Sequence, residues 1–196
     1  LKSLIISSIS MMLQLLSGIG IMLNSLSKML SGIGLDIPSS LESCLFDFVG
    51  ALANLIAAII VDSIGTKYMF CFSAFGLFVG LLMYSITLKV NMANWIGTLT
   101  VFVYFLFYGL GLGPIPWYLF STMVPDSCRI ESSAIVTALN LFLPGILDYI
   151  WNGLDKLSGQ FGSSIFGAID CLIAIIFGLI FIPIEHHNEE DSINLL

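Results

Sequence analysis

Gly109-Leu110-Gly111-Leu112-Gly113-Pro114-Ile115-Pro116-Trp117 is the stretch on which the chain turns. Three glycines and two prolines within nine residues would ordinarily mark a surface loop. Yet the stretch lies inside an apolar run from Trp95 to Val124, and both flanks are as apolar as a membrane-spanning helix. Irregular backbone at membrane depth survives only where protein buries it or where it lines a watery cavity. Pro114 and Pro116 also remove two backbone donors. The expectation is a discontinuous helix beside a solute path, shaped by Gly111, Gly113, Pro114 and Pro116.

The composition supports a membrane setting. The 196 residues are 58% hydrophobic and only 10% charged, far from the balance of a soluble domain. Five further apolar runs accompany the first, giving spans at about 4–30, 44–61, 69–88, 95–124, 133–151 and 161–183. Each reaches the ~17–25 residues that a spanning helix needs. Short polar joints separate them, and residues 184–196 form a polar tail. The expected organisation is a six-helix bundle over residues 1–183, an all-α membrane protein. The net charge of −7 is concentrated in part in that tail, and nothing basic suggests nucleic acid. Cys44, Cys71, Cys128 and Cys171 have no paired spacing and read as apolar fillers. His186 and His187 are adjacent but solitary, so no metal site and no cofactor is expected. No phosphate loop or nucleophile–base pair points to an enzyme.

The first run is interrupted too. Gln14, Ser17-Gly18-Ile19-Gly20 and Asn24 fall near its middle. Helices one and four of the six are thus both interrupted, at corresponding places in two groups of three. Paired interruptions of this kind are the best sequence pointer to a transporter's binding site. The alternative is that the glycines merely allow close helix packing.

Polar residues within the runs fall on stripes. Asp47, Gly50 and Asn54 share one face of helix two, and Asn140, Pro144 and Asp148 share one face of helix five. Gln14 and Ser17 face the same way just before the break in helix one. Trp117, on the face of Gly109 and Gly113, can offer a flat ring and an indole donor to a ligand. Asp170 sits mid-helix with no polar companion on its face. Intramembrane acids are costly and point to function. A protonatable site, if transport is proton-coupled, would fall to Asp148 or Asp47. Charge counting leaves the orientation tied, because Lys2, Lys67 and Arg129 fall on one face and Lys28, Lys89 and Lys156 on the other.

These residues resemble the carboxy-terminal half, helices seven to twelve, of a sugar porter of the major facilitator superfamily, glucose-transporter type. Gly111-Leu112-Gly113-Pro114-Ile115-Pro116-Trp117-Tyr118 resembles the Gly-Pro-Gly-Pro-Ile-Pro-Trp-Phe signature of the tenth helix. Val61 to Lys67 resembles the Val-Glu-Arg-Ala-Gly-Arg-Arg turn between helices eight and nine. Gln14 to Gly20 resembles Gln-Gln-Leu-Ser-Gly-Ile-Asn of helix seven. Arg129 falls on the Arg after helix ten, and Asn140 on the sugar-contacting Asn of helix eleven. Pro183 and Glu185 are similar to the Pro-Glu-Thr motif that closes helix twelve.

The resemblance implies a six-helix half of the family fold, built as two three-helix inverted repeats. It implies alternating-access transport of a small polyhydroxylated solute, of hexose type, with the lipid bilayer and an amino-terminal six-helix half as partners. The plasma membrane would be the location. Asp62, Lys67 and Arg129 would form a cytoplasmic ionic latch, and Gln14, Ser17, Trp117 and Asn140 would line the site, with Asp47, Asn54 and Asp148 beside them. Departures concern the sugar contacts. Leu15, Gly20, Gly50 and Gly109 stand where the family has a Gln, two Asn and a Glu. A millimolar site has only about 4 kcal/mol of binding free energy, and each hydrogen bond contributes ~0.5–1.5 kcal/mol. Four losses therefore require compensation or a different solute, or imply a non-transporting relative such as a sensor.

Overall fold

The computed structural model describes residues 2–20, 22, 38–90, 94–125, 127 and 129–183. Asn24, Cys128 and the tail with His186 and His187 lie outside the described residues, as does the side chain of Asp47. The described residues are helical, with no strand among them. The elements are α1 (Lys2–Leu16), α2 (Ser39–Ile64), α3 (Thr66–Val90), α4 (Asn94–Phe107), a π turn (Tyr108–Leu112), α5 (Ile115–Met123) and α6 (Arg129–Phe181). Gly159, at φ 68° and ψ 176°, divides α6 into two arms, residues 129–158 and 160–181. Among the described residues, three stretches are long and apolar enough to cross a bilayer: Thr66–Val90, Trp95–Met123 and Arg129–Phe181. Ser3–Leu16 and Phe48–Ile64 are shorter apolar helices.

The joints are tighter than the polar composition suggests. Between α2 and α3 only Gly65 leaves the helix, at φ 87°, with its N–H still bonded to the Val61 carbonyl at 2.8 Å. A side chain strains at that φ, so glycine is the residue for the corner. Asp62, Ser63 and Lys67 therefore sit on helix ends. Residues 152–158 likewise stay helical up to Gly159, beyond which Ser163 donates back to the Asp155 carboxylate.

α3 is the hub. Phe70, Leu77, Leu81 and Tyr84 are fully buried along it. Small residues on its neighbours set the spacing. A Cβ at Gly178 would lie 2.8 Å from Phe70, and one at Gly167 would lie 3.3 Å from Leu81. The second arm of α6 thus runs antiparallel to α3 at close range. At its start, the Lys89 ammonium lies 5.6 Å from the centre of the Phe161 ring. α4 lies antiparallel on the other side of α3, with Gly80 against Tyr104 and Gly76 against Phe107. Close approach through small residues is how helices associate in lipid, where no hydrophobic force drives them together.

The remaining directions follow from further contacts. Gly50 and Ala53 of α2 meet Gly109, while Asn54, Ala57 and Val61 face Pro114, Ile115 and Tyr118, so α2 runs parallel to α4–α5. α1 runs antiparallel to them, with Met11 packed beside Phe120 and Val124. Gly65, Val124, Arg129 and the end of α6 thus share one end of the bundle. The helices that carry the two interruptions, α1 and α4–α5, point in opposite directions. That is the geometry of an inverted repeat.

Candidate functional site

The two interrupted helices meet at their interruptions. α1 stops at Leu16; Ser17 and Gly18 leave the helix, Gly18 at φ 91°, and helical turns resume at Ile19 and Gly20. Breaking the helix strands a backbone carbonyl, and a neighbour satisfies it. The Tyr104 hydroxyl donates to the Ser17 carbonyl at 3.0 Å. The Ser17 hydroxyl donates to the Gln14 carbonyl at 2.7 Å and lies 3.2 Å from the same Tyr104 oxygen. A Cβ at Gly167 would stand 3.4 Å from the Ser17 carbonyl oxygen, so the second arm of α6 closes over the break.

The second interruption differs from a gap. The chain does not unwind between α4 and α5. It widens into the π turn Tyr108–Leu112 and passes through Gly113 and Pro114 into α5. The Gly113 N–H reaches the Tyr108 carbonyl at 2.8 Å. Pro114 precedes α5 and Pro116 occupies its first turn, where a missing N–H costs nothing. The prolines therefore end one winding and begin the next. The glycines serve contact. A Cβ at Gly109 would lie 2.7 Å from that of Ala53 and 2.9 Å from the Gly50 carbonyl. One at Gly111 would lie 2.5 Å from the Ser73 Cβ and 2.7 Å from the Met69 carbonyl. This stretch thus combines a change of winding with close packing of its glycines.

Gln14 joins the two. Its amide nitrogen donates to the Tyr108 hydroxyl and to the Gly113 carbonyl, each at 3.0 Å. Its side chain is 6% exposed, and its Oε1 is buried with no hydrogen-bond partner. An unpartnered acceptor buried at a junction of two helix interruptions is suited to a donor arriving from a ligand.

Of the other candidates read from the sequence, some lie near this junction and others do not. Asn140 and Asp148 face α1. The Asn140 amide lies 3.6 Å from the Met11 sulfur, and the Asp148 Oδ1 lies 3.2 Å from where a Cβ of Gly20 would be. Asp148 thus fills the space a side chain at position 20 would enter. Trp117 stands one turn past Gly113 and is 42% exposed. Asn54 lines a cleft of about 290 Å³ between α2 and α5, with Asp62, Pro114 and Tyr118. Arg129 turns back on its own segment and donates to the Val124 carbonyl at 3.2 Å. Asp62 is exposed and Lys67 half-buried on either side of Gly65. Asp170 is 5% exposed, with Oδ2 unpartnered. It sits one turn past Gly167, on the arm that covers the break in α1.

Tyr104, Tyr108 and Ser73 were not among the candidates. The two tyrosines, four residues apart, match Gln14 and Ser17, three apart on the facing helix. Within an apolar run that pattern is indistinguishable from aromatic packing, and the rings do stack, 6.4 Å apart.

Comparison with known proteins places the chain. The sugar (and other) transporter family matches residues 1–193. Trehalose transporter 1 of Drosophila melanogaster is 27% identical over 191 residues, covering 93% of this chain and 22% of that protein. Facilitated trehalose transporter Tret1 of Anopheles gambiae is 24% identical over 191 residues, with 93% and 24% covered. The chain spans about a quarter or less of the length of these relatives. A crystal structure of a double-tryptophan mutant of XylE superposes with a TM-score of 0.84 at 18% identity, over 99% of this chain and 42% of that one. The chain therefore belongs to the sugar (and other) transporter family, as an all-α, multi-pass integral membrane protein whose fold is that of a part of the XylE structure.

Proposed function

We propose that the chain is the carboxy-terminal, six-pass half of an alternating-access carrier for a neutral sugar. It would work with an amino-terminal six-helix half across the plasma membrane. Residues 1–183 form the bundle, and residues 184–196 its cytoplasmic tail. The observation that carries this reading is the Gln14 junction: two helix interruptions tied together by one amide whose buried Oε1 awaits a donor. Sugar hydroxyls are such donors. Gln14, Ser17, Trp117 and Asn140 line the path, with Asp47, Asn54 and Asp148 as further contacts. Gly111, Gly113, Pro114 and Pro116 shape the moving segment.

The missing family contacts have physical counterparts. Asp148 occupies the space that Gly20 vacates, so an acceptor from α6 stands in for one from α1. Gly109 is different. α2 packs directly on it, leaving no room for an acid. A Cβ at Gly50 would meet nothing within 4 Å. The relatives named above are named for trehalose, a disaccharide, which favours a solute larger than a hexose. At the shared end of the bundle, Asp62, Lys67 and Arg129 supply the latch charges.

Uptake of labelled hexose and labelled disaccharide into proteoliposomes carrying the intact protein tests this. Saturable uptake of either supports the carrier reading, and their ratio sets the solute size. Absence of uptake with retained sugar binding would indicate a sensor instead.

A further inference from the structure

The π turn has a lock that no sugar contact explains. Ser73 of α3 sets its hydroxyl between the two ends of one backbone pair. It donates to the Phe107 carbonyl at 2.6 Å and accepts from the Leu112 N–H at 2.8 Å. Those groups are five residues apart, the spacing of a π turn. In an α winding the Phe107 carbonyl would take the Gly111 N–H, and the Leu112 N–H would go to the Tyr108 carbonyl. Ser73 holds both groups in the wider pairing and leaves neither free for the narrower one. Gly111 makes this possible, since a Cβ there would meet Ser73 and the Met69 carbonyl.

The register of this turn has a consequence downstream. A π turn holds one more residue than the α winding it replaces. Removing that residue from the bulge rotates everything after it by about 100° and shifts it by ~1.5 Å. Trp117 and the Gly113 carbonyl that Gln14 holds both lie after the bulge. We propose that Ser73 is a positioning residue: it holds the helix in the π register and so sets the face on which Trp117 is presented to the solute. It touches no solute itself. The proposal rests on the carrier reading for what Trp117 meets, but the register it fixes can be measured without any sugar.

The test uses the intact protein in lipid, with Ser73→Ala and Ser73→Thr. Three readouts apply: amide exchange at Gly111, Leu112 and Gly113, the emission contributed by Trp117 (taken as the difference from Trp117→Phe), and sugar KM against maximal rate. In Ser73→Ala the exchange pattern changes across these three residues and the Trp117 emission shifts. KM rises roughly 2- to 12-fold, the weight of one aromatic contact, and the maximal rate at saturation is retained. Ser73→Thr, which keeps the hydroxyl, restores all three. Wild-type exchange and emission in Ser73→Ala overturn the proposal. So does equal impairment of both variants, which would make position 73 a matter of volume alone. If wild type transports no sugar, the carrier reading fails, while exchange and emission still decide the register.

Discussion

Gln14→Leu separates stability from binding in a way that a plain packing residue could not. The substitution removes two hydrogen bonds, to the Tyr108 hydroxyl and the Gly113 carbonyl. Side-chain hydrogen bonds within membrane bundles average ~0.6 kcal/mol, so the loss is about 1 kcal/mol. It also removes Oε1, a buried acceptor with no partner. Carrying such a group costs ~1–3 kcal/mol. The two effects oppose each other, and the bundle keeps its stability to within about 2 kcal/mol, with a gain as admissible as a loss. Sugar binding has no such compensation. The acceptor that a solute hydroxyl would meet is gone, and one hydrogen bond of ~0.5–1.5 kcal/mol corresponds to a roughly 2- to 12-fold weaker Kd. Reversible unfolding in mixed micelles reads the first quantity, and sugar-dependent quenching of tryptophan emission reads the second. A large loss of stability with unchanged sugar affinity would refute the reasoning, because Gln14 would then be a structural brace alone.

Further outcomes follow from the same geometry. Tyr104→Phe leaves the buried Ser17 carbonyl without its donor and lowers stability by ~1–3 kcal/mol; amide exchange at Ser17, Gly18 and Met22 should quicken, and unchanged exchange would show that the break needs no support. Gly109→Glu does not restore the family's acid, because its Cβ meets Ala53 and the Gly50 carbonyl; overpacking costs ~1–3 kcal/mol, and a stable variant with improved sugar affinity would contradict this. Asp148→Asn keeps the fold, since Asp148 is exposed, but weakens sugar binding; unchanged affinity removes it from the site. Asp170→Leu raises stability by ~1–3 kcal/mol if its Oδ2 is as unpartnered as it stands; a destabilised variant would reveal a partner that Asp170 serves.

Much of this was legible in the residues. The apolar runs suffice to expect a helical membrane protein, and the motif of Gly111 to Tyr118 carries the resemblance to the sugar porters. The stripe of Asn140 and Asp148 does face a neighbouring helix, as its spacing requires. What was not legible lies in the backbone and in pairings across long sequence distances. Glycine and proline together mark departure from an α-helix, yet they do not say whether the chain opens or widens. The answer depends on Ser73, more than thirty residues upstream, whose hydroxyl fits the π pairing. The polar joints were misleading for a related reason. Charged residues such as Asp62 and Asp155 stay within helices because a helix end at the membrane surface leaves its side chains in water. At these two joints it is Gly65 and Gly159, both at positive φ, that mark the corners. The vacancy at Gly109 likewise looked like a lost contact. In the structure the position is a close contact with α2, which leaves a side chain there no room.

The central claim is that the Gln14 junction is the solute site of an alternating-access carrier. Counterflow tests it most directly: proteoliposomes of the intact protein are loaded with unlabelled sugar, and entry of labelled sugar is followed in wild type and Gln14→Leu. The account predicts saturable, trans-stimulated entry in wild type that requires higher sugar concentrations in the variant. Entry with no trans-stimulation, or a variant with the same concentration dependence as wild type, would contradict it.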